Sequence, residues 1–186
     1  MSARENLVEA TKQLLWERGY AATSPRDILQ ASGAGQGSMY HHFSGKSDLA
    51  ATALGEVATE MQASAEAILH ANKPPLERVV DYLKFPREAL LGCRLGRLAA
   101  EQEIVTDPIR NPVVTYFSYL ESALEGCLEE AQRTGELRDD VNAHDMAVHL
   151  TAVIQGGYVL SRVFQDAAQM ESAVRAAIGL LSGTFS

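Results

Sequence analysis

Gln36, Gly37, Ser38, Tyr40 and His41 stand almost side by side, with Lys46 just beyond them and Ser24 and Arg26 a short way before. These are amide, hydroxyl, imidazole, guanidinium and ammonium groups, suited to gripping a polyanion and reading hydrogen-bonding edges. They do not have the makings of a reaction centre. The sequence contains no Gly-rich phosphate loop, no paired-carboxylate site and no plausible nucleophile-base pair, so it does not read as an enzyme. His149 stands alone and reads as a core or interface residue rather than a base. The pairs His41/His42 and His144/His149 lack the i, i+4 spacing that turns two imidazoles towards one metal. Cys93 and Cys127 lie in apolar helical surroundings and read as small buried hydrophobes in a reducing compartment. Neither a metal nor a cofactor is expected.

The elements that must position this group are short helices. A first helix is expected from about Ala3 to Arg18, with Leu7, Ala10, Leu14 and Leu15 on one face and Gly19 closing it. Ser24-Pro25-Arg26-Asp27 combines an N-cap hydroxyl, proline at the first helical position and a carboxylate three residues after the cap. The helix it starts can reach only about Ser32, because Gly33 and Gly35 follow. Gln36 to Phe43 reads as another short helix ended by Ser44-Gly45. Two short helices joined by a glycine turn have the layout of a helix-turn-helix. Longer helices are expected from Ser47 to about Ala71, then at Leu76 to Leu83, Arg87 to Ile104, Pro112 to Thr134, Ala143 to Asp166 and Ala168 to Thr184. The stretch Asn72-Lys73-Pro74-Pro75 is the candidate linker. No segment alternates like a strand, so the expected fold is all-α: a three-helix head over residues 1–47 and a larger helical bundle over residues 48–186.

Composition agrees with that division. A chain of 186 residues with 46% hydrophobic side chains can bury a substantial core. From Met1 to Ser47 five basic residues (Arg4, Lys12, Arg18, Arg26, Lys46) meet four acidic ones (Glu5, Glu9, Glu17, Asp27), a net of +1, which leaves −9 for the rest of a chain whose total is −8. A weakly positive head on an acidic body offers one face to phosphates while the remainder repels them. No apolar run of ~20 residues could cross a bilayer, and nothing reads as a secretory leader. No membrane association and a cytoplasmic location are expected.

A helix of this kind enters the major groove with its first turns while flanking groups hold phosphates. Gln36, at the start of the third helix, can pair bidentately with adenine, and Arg26 can offer a fork to guanine. Gly37 permits close backbone approach and Ser38 adds a hydroxyl. Tyr40, His41 and Lys46 read as phosphate binders. The helix starts at Ser24 and Ser47 offer backbone N–H groups to phosphate oxygens. Phe43 reads as core.

These residues carry a resemblance. Gly19-Tyr20, Ala22-Thr23-Ser24-Pro25-Arg26-Asp27-Ile28, the run Ala31 to Phe43, Lys46 and Leu49 together resemble the DNA-binding head of the tetracycline-repressor (TetR) family. The sequence departs from the family at two places, with Gly35 where a serine commonly caps the recognition helix and Gln36 where a lysine commonly follows. Gly92-Cys93-Arg94-Leu95-Gly96-Arg97-Leu98-Ala99-Ala100-Glu101 is similar to the glycine-cysteine motif of a subgroup containing lincomycin-resistance and flavonoid-responsive repressors. The resemblance implies a repressor that binds a palindromic double-stranded DNA operator as a homodimer. It implies release by a small effector held in a cavity of the body, and the apolar and aromatic character of the residues that could line that cavity favours a mostly hydrophobic or aromatic one. Tyr82, Phe85, Cys93, Leu95, Leu98, Tyr116, Phe117, Leu120, Tyr158 and Arg162 are the residues that could line it. Two-fold symmetry would set recognition helices about 34 Å apart. The last two long helices are the natural interface, where Ala147, Leu150, Ile154 and Gly157 or Tyr158 form an apolar stripe and Gly156-Gly157 admits a close partner. The alternative is a helical ligand-binding module that does not bind DNA.

Overall fold

A computed structural model describes residues 2–106 and 108–183, apart from the side chains of Ile104 and Ser182. The described residues form eight α-helices and no strand: α1 Ala3–Arg18, α2 Pro25–Ser32, α3 Gln36–His42, α4 Lys46–Leu69, α5 Pro75–Lys84, α6 Arg110–Arg133, α7 Ala143–Phe164 and α8 Ala168–Ser182. Local chemistry sets many of their ends. Ser2 and Glu5 form a capping box on α1, and Ser24 and Asp27 form one on α2. Gly33 ends α2 in the left-handed conformation at φ 66°. That conformation costs an L side chain roughly 1–2 kcal/mol, which explains the glycine.

One expected helix is absent. Between Arg87 and Ile104 the chain is irregular, with short 3-10 turns at Gly96–Ala100 and Gln102–Val105. The pattern of burial gives the reason. Ala89, Cys93, Leu95 and Leu98 are buried while Leu90 and Leu91 are exposed, which is no helical stripe. Gly92 takes φ 90° and breaks the path. The Cys93 thiol accepts the Gly96 N–H at 3.2 Å. Long-range partners here override local propensity. The expected end of the last helix at Thr184 and the residue Asp107 lie outside the described residues.

The chain forms two compact units, Met1–Glu60 with Cys93–Tyr116, and Met61–Gly92 with Phe117–Ser186. The expected boundary at 47/48 falls in the first turn of α4. In the first unit α1 packs on α2 and α3, and Leu7, Leu15, Ile28, Met39 and Leu49 are fully buried. Lys12 is also buried there. Its Nζ lies 2.6 Å from Glu9, 2.7 Å from Glu56 and 2.8 Å from Glu60, and Arg94 takes the other Glu60 oxygen at 2.7 Å. Burial alone would depress the lysine pKa, but the three carboxylates outweigh it and push it up. One of the head's five cations is thus spent on holding α1 to α4.

In the second unit α7 packs on α8 and α5 on α8. Arg78, buried, donates to the Leu69 carbonyl at 2.9 Å and pairs with Glu130. Ala147, Leu150, Ile154 and Gly157 are buried, so the stripe expected at a dimer interface is used inside the fold. A Cβ on Gly157 would stand 2.6 Å from the Met170 sulfur. The small residue is there for α8, whose Met170 N–H also bonds Ser161 at 3.1 Å.

Candidate nucleic-acid interface

The helix-turn-helix of the first unit is anchored from below. Ile28 of α2 and Met39 of α3 are fully buried, Phe43 follows α3 into the core, and the Arg4 guanidinium lies 5.5 Å from the Phe43 ring centre. What α3 leaves outside follows from helical geometry. With Met39 inward, Gly37, Tyr40 and His41 turn away from it and are exposed, Tyr40 to 55%, and Gln36 is exposed as the first residue of the helix. Ser38 is half-buried. Arg26 is exposed in the first turn of α2. The backbone turns from α2 to α3 through Gly33, Ala34 and Gly35; the Ala34 N–H bonds the Ser32 hydroxyl at 3.2 Å, and Gly35 caps α3 without a side chain.

The start of α2 is narrower as an anion site than the sequence suggests. Ser24 accepts the Asp27 N–H at 3.2 Å, and Pro25 has no N–H to give. The first turn then offers the Arg26 amide. The Ser24 hydroxyl and N–H bind the Asp27 carboxyl and hold its pKa below the ordinary carboxylate value.

Lys46 sits elsewhere than expected of a phosphate binder. It opens α4 half-buried, donates to the Tyr20 carbonyl at 2.6 Å, and lies 3.8 Å from the centre of the Tyr20 ring. Burial lowers its pKa, against the opposing charges of Glu103 and Glu101. At the start of the same helix Asp48 accepts the Ser44 N–H at 2.9 Å, and Ser47 stands half-buried in the first turn. Sequence reasoning passed over His42, which is exposed beside His41 with ring centres 4.9 Å apart. The adjacency of two imidazoles on a surface helix was the available signal.

Residues 7–53 match the family model described as bacterial regulatory proteins, tetR family, and residues 76–177 match that of the tetracyclin repressor-like C-terminal domain. The chain belongs to the TetR family. Among relatives of the whole chain, the transcriptional repressor DhaR of Mycobacterium sp. (strain GP1) is 29% identical over 163 residues, covering 86% of this chain and 82% of that one. The transcriptional regulator LmrA of Bacillus subtilis is 29% identical over 166 residues, 86% of each. The fold of a TetR regulator from Chloroflexus aurantiacus superposes with a TM-score of 0.88 at 24% identity, over 97% of this chain and 94% of that one. This is a TetR-family helix-turn-helix transcriptional regulator and not an enzyme. Among the described residues no helix is long and apolar enough to cross a membrane.

The residues expected around an effector divide between the units of this TetR-family regulator. Cys93, Leu95, Leu98 and Tyr116 belong to the first unit and are all buried. In the second, Tyr82 and Leu120 are buried, Phe117 and Tyr158 half-buried, and Phe85 and Arg162 exposed. Arg162 reaches the Leu91 carbonyl at 3.4 Å. Phe85 alone of the ten lines a cleft of about 440 Å³ in the second unit, where Leu83, Ala89, Met170 and Val174 supply apolar wall and Lys84 and Arg175 supply charge.

Proposed function

We propose that this regulator is a repressor that binds a palindromic operator as a homodimer and lets go when a small, mostly hydrophobic effector binds its body. The observation that carries the DNA half is the outward face of α3. Tyr40 and His41 with Gln36 at the helix start make that surface while Met39 and Phe43 anchor the helix in the core. Gln36 with Arg26 reads bases, and Tyr40, His41 and the Arg26 amide hold phosphates, with Gly37 and Ser38 allowing close approach. The effector half rests on the family and on a cleft in the second unit whose wall mixes apolar residues with charged ones, Lys84, Arg87, Glu171 and Arg175 among them.

The dimer half has its own support. Along α7, Val148, Ala152, Val159 and Val163 recur at helical spacing and are exposed, Val159 to 61% and Val163 to 70%. Gly156 lies on the same stripe, and space stands open where its Cβ would be. Ala176, Gly179 and Leu180 continue such a surface on α8. A second copy of the same two helices is the partner that self-complementary small and branched residues suit.

The test is selection from a pool of random duplexes by the full-length protein at low salt. Enrichment of an inverted repeat is expected, with Gln36→Ala relaxing choice at one position of each half-site and Arg26→Ala at another. Recovery of no preferred duplex would sink the repressor reading in favour of a ligand-binding module.

A further inference from the structure

We infer that Glu101 is a positioning residue for operator binding, fixing the corner between α1 and α2 and through it the placement of the DNA-reading helices. The inference rests on the DNA-binding reading above. Glu101 lies 80 residues beyond that corner in sequence, yet its two carboxylate oxygens accept the Tyr20 N–H at 2.9 Å and the Ala21 N–H at 2.7 Å. It also explains Gly19. That residue takes φ 85°, ψ 177°, a region nearly reserved for glycine, and a Cβ there would stand 2.2 Å from the Glu101 carboxylate.

Several other groups around the corner are drawn into the same arrangement. The Tyr20 peptide is gripped at its N–H by Glu101 and at its carbonyl by both Lys46 and the Thr23 N–H. The Thr23 hydroxyl donates to the Gly19 carbonyl at 2.7 Å, and the Ser24 cap of α2 follows at once. Two neighbours of Glu101 hold the other side of the bend. Arg97 donates to the Trp16 carbonyl in the last turn of α1, where a cation also suits the helix dipole. Arg94 lies 5.8 Å from the centre of the Trp16 ring while pairing with Glu60. Residues 94–101 thus form a strap that determines where α2 begins, and α3 follows α2 after three residues.

Ala21 is exposed and Tyr20 half-buried. Water can therefore satisfy their amides once the carboxylate is gone. What the carboxylate supplies is a single geometry for the corner. Its loss should harm binding that demands accurate placement of two heads, and spare binding that demands only charge.

The experiment uses the full-length protein and an inverted-repeat duplex enriched from a random pool by the wild type. Affinity is measured for that duplex, for a scrambled one, and for versions with half-site spacing changed by one base pair. Glu101→Ala should weaken the enriched duplex by about tenfold or more, change the scrambled duplex by less than about twofold, and flatten the dependence on spacing. Glu101→Gln, which keeps the shape and one acceptor, should fall between, and it decides by the same criteria if the alanine variant does not fold. A variant that matches the wild type on the enriched duplex, or loses both duplexes equally with spacing dependence intact, overturns the inference while the repressor reading stands. A wild type that enriches nothing overturns both.

Discussion

Replacing Gly19 with alanine separates two costs that the structure places at one residue. The first is conformational: at φ 85°, ψ 177° a Cβ is strained by about 1–3 kcal/mol. The second comes from Glu101, whose carboxylate oxygen lies 2.2 Å from the new methyl and must withdraw. A flexible side chain moves away cheaply, so the penalty is not compression but the loss of two charge-assisted bonds to Tyr20 and Ala21. Because water can reach both amides, this adds about 1–2 kcal/mol, for a total of roughly 2–5 kcal/mol. Gly33→Ala is the control. Gly33 also has positive φ, at 66°, but open space where its Cβ would be, so only the conformational cost of about 1–2 kcal/mol applies. Urea unfolding of Gly19→Ala, Gly33→Ala, Glu101→Ala and the Gly19→Ala/Glu101→Ala pair measures the difference. The pair should be less destabilised than the sum of its singles by about 1 kcal/mol or more, because the second mutation removes a contact already lost. Full additivity of the pair, with Gly19→Ala no worse than Gly33→Ala, would refute the reasoning.

Three further outcomes are expected. Val159→Asp with Val163→Asp places charges on the exposed stripe of α7 and should convert a dimer to a monomer in sedimentation without lowering the monomer's helical content; an unchanged dimer removes that face from the interface. Lys46→Ala should lower the thermal midpoint by loosening Tyr20 and leave the salt slope of DNA binding unaltered, whereas a slope reduced by about one with stability intact returns Lys46 to phosphate binding. His144 has its Nδ1 3.2 Å from Glu125, a bond that raises its pKa above the ordinary 6.5, so its stabilisation is complete below that value and disappears as pH rises through the folded one. Glu125→Gln should bring the His144 titration, followed by NMR, back down towards 6.5, and an unmoved midpoint would discount the pair.

The head was legible because its signals are local. Ser24 and Asp27 cap each other across one turn, Gly33 closes α2 by its own backbone conformation, and Met39 sets which side of α3 faces out. The sixteen consecutive residues from Ser24 to Met39 contain all the information those choices need. The rest of the chain was less legible, since a buried Leu95 or Tyr116 has the same spacing whether it lines a cavity or fills a core.

By itself, the sequence determined an all-helical chain whose capped short helices make a helix-turn-helix, because caps, glycines and helical periodicity act over a few residues. Only the tertiary structure decided that residues 87–104 are irregular and carry the strap of residues 94–101 rather than a helix, since Arg97 and Glu101 find their partners in Trp16, Tyr20 and Ala21 some 80 residues away. It likewise assigned Gly157 to Met170 and left Gly156 facing outward, a distinction two adjacent glycines cannot carry in sequence. Pairings across that distance are selected by the packed fold, whose combined burial and hydrogen bonding outweigh the small helix preference of each residue along the way.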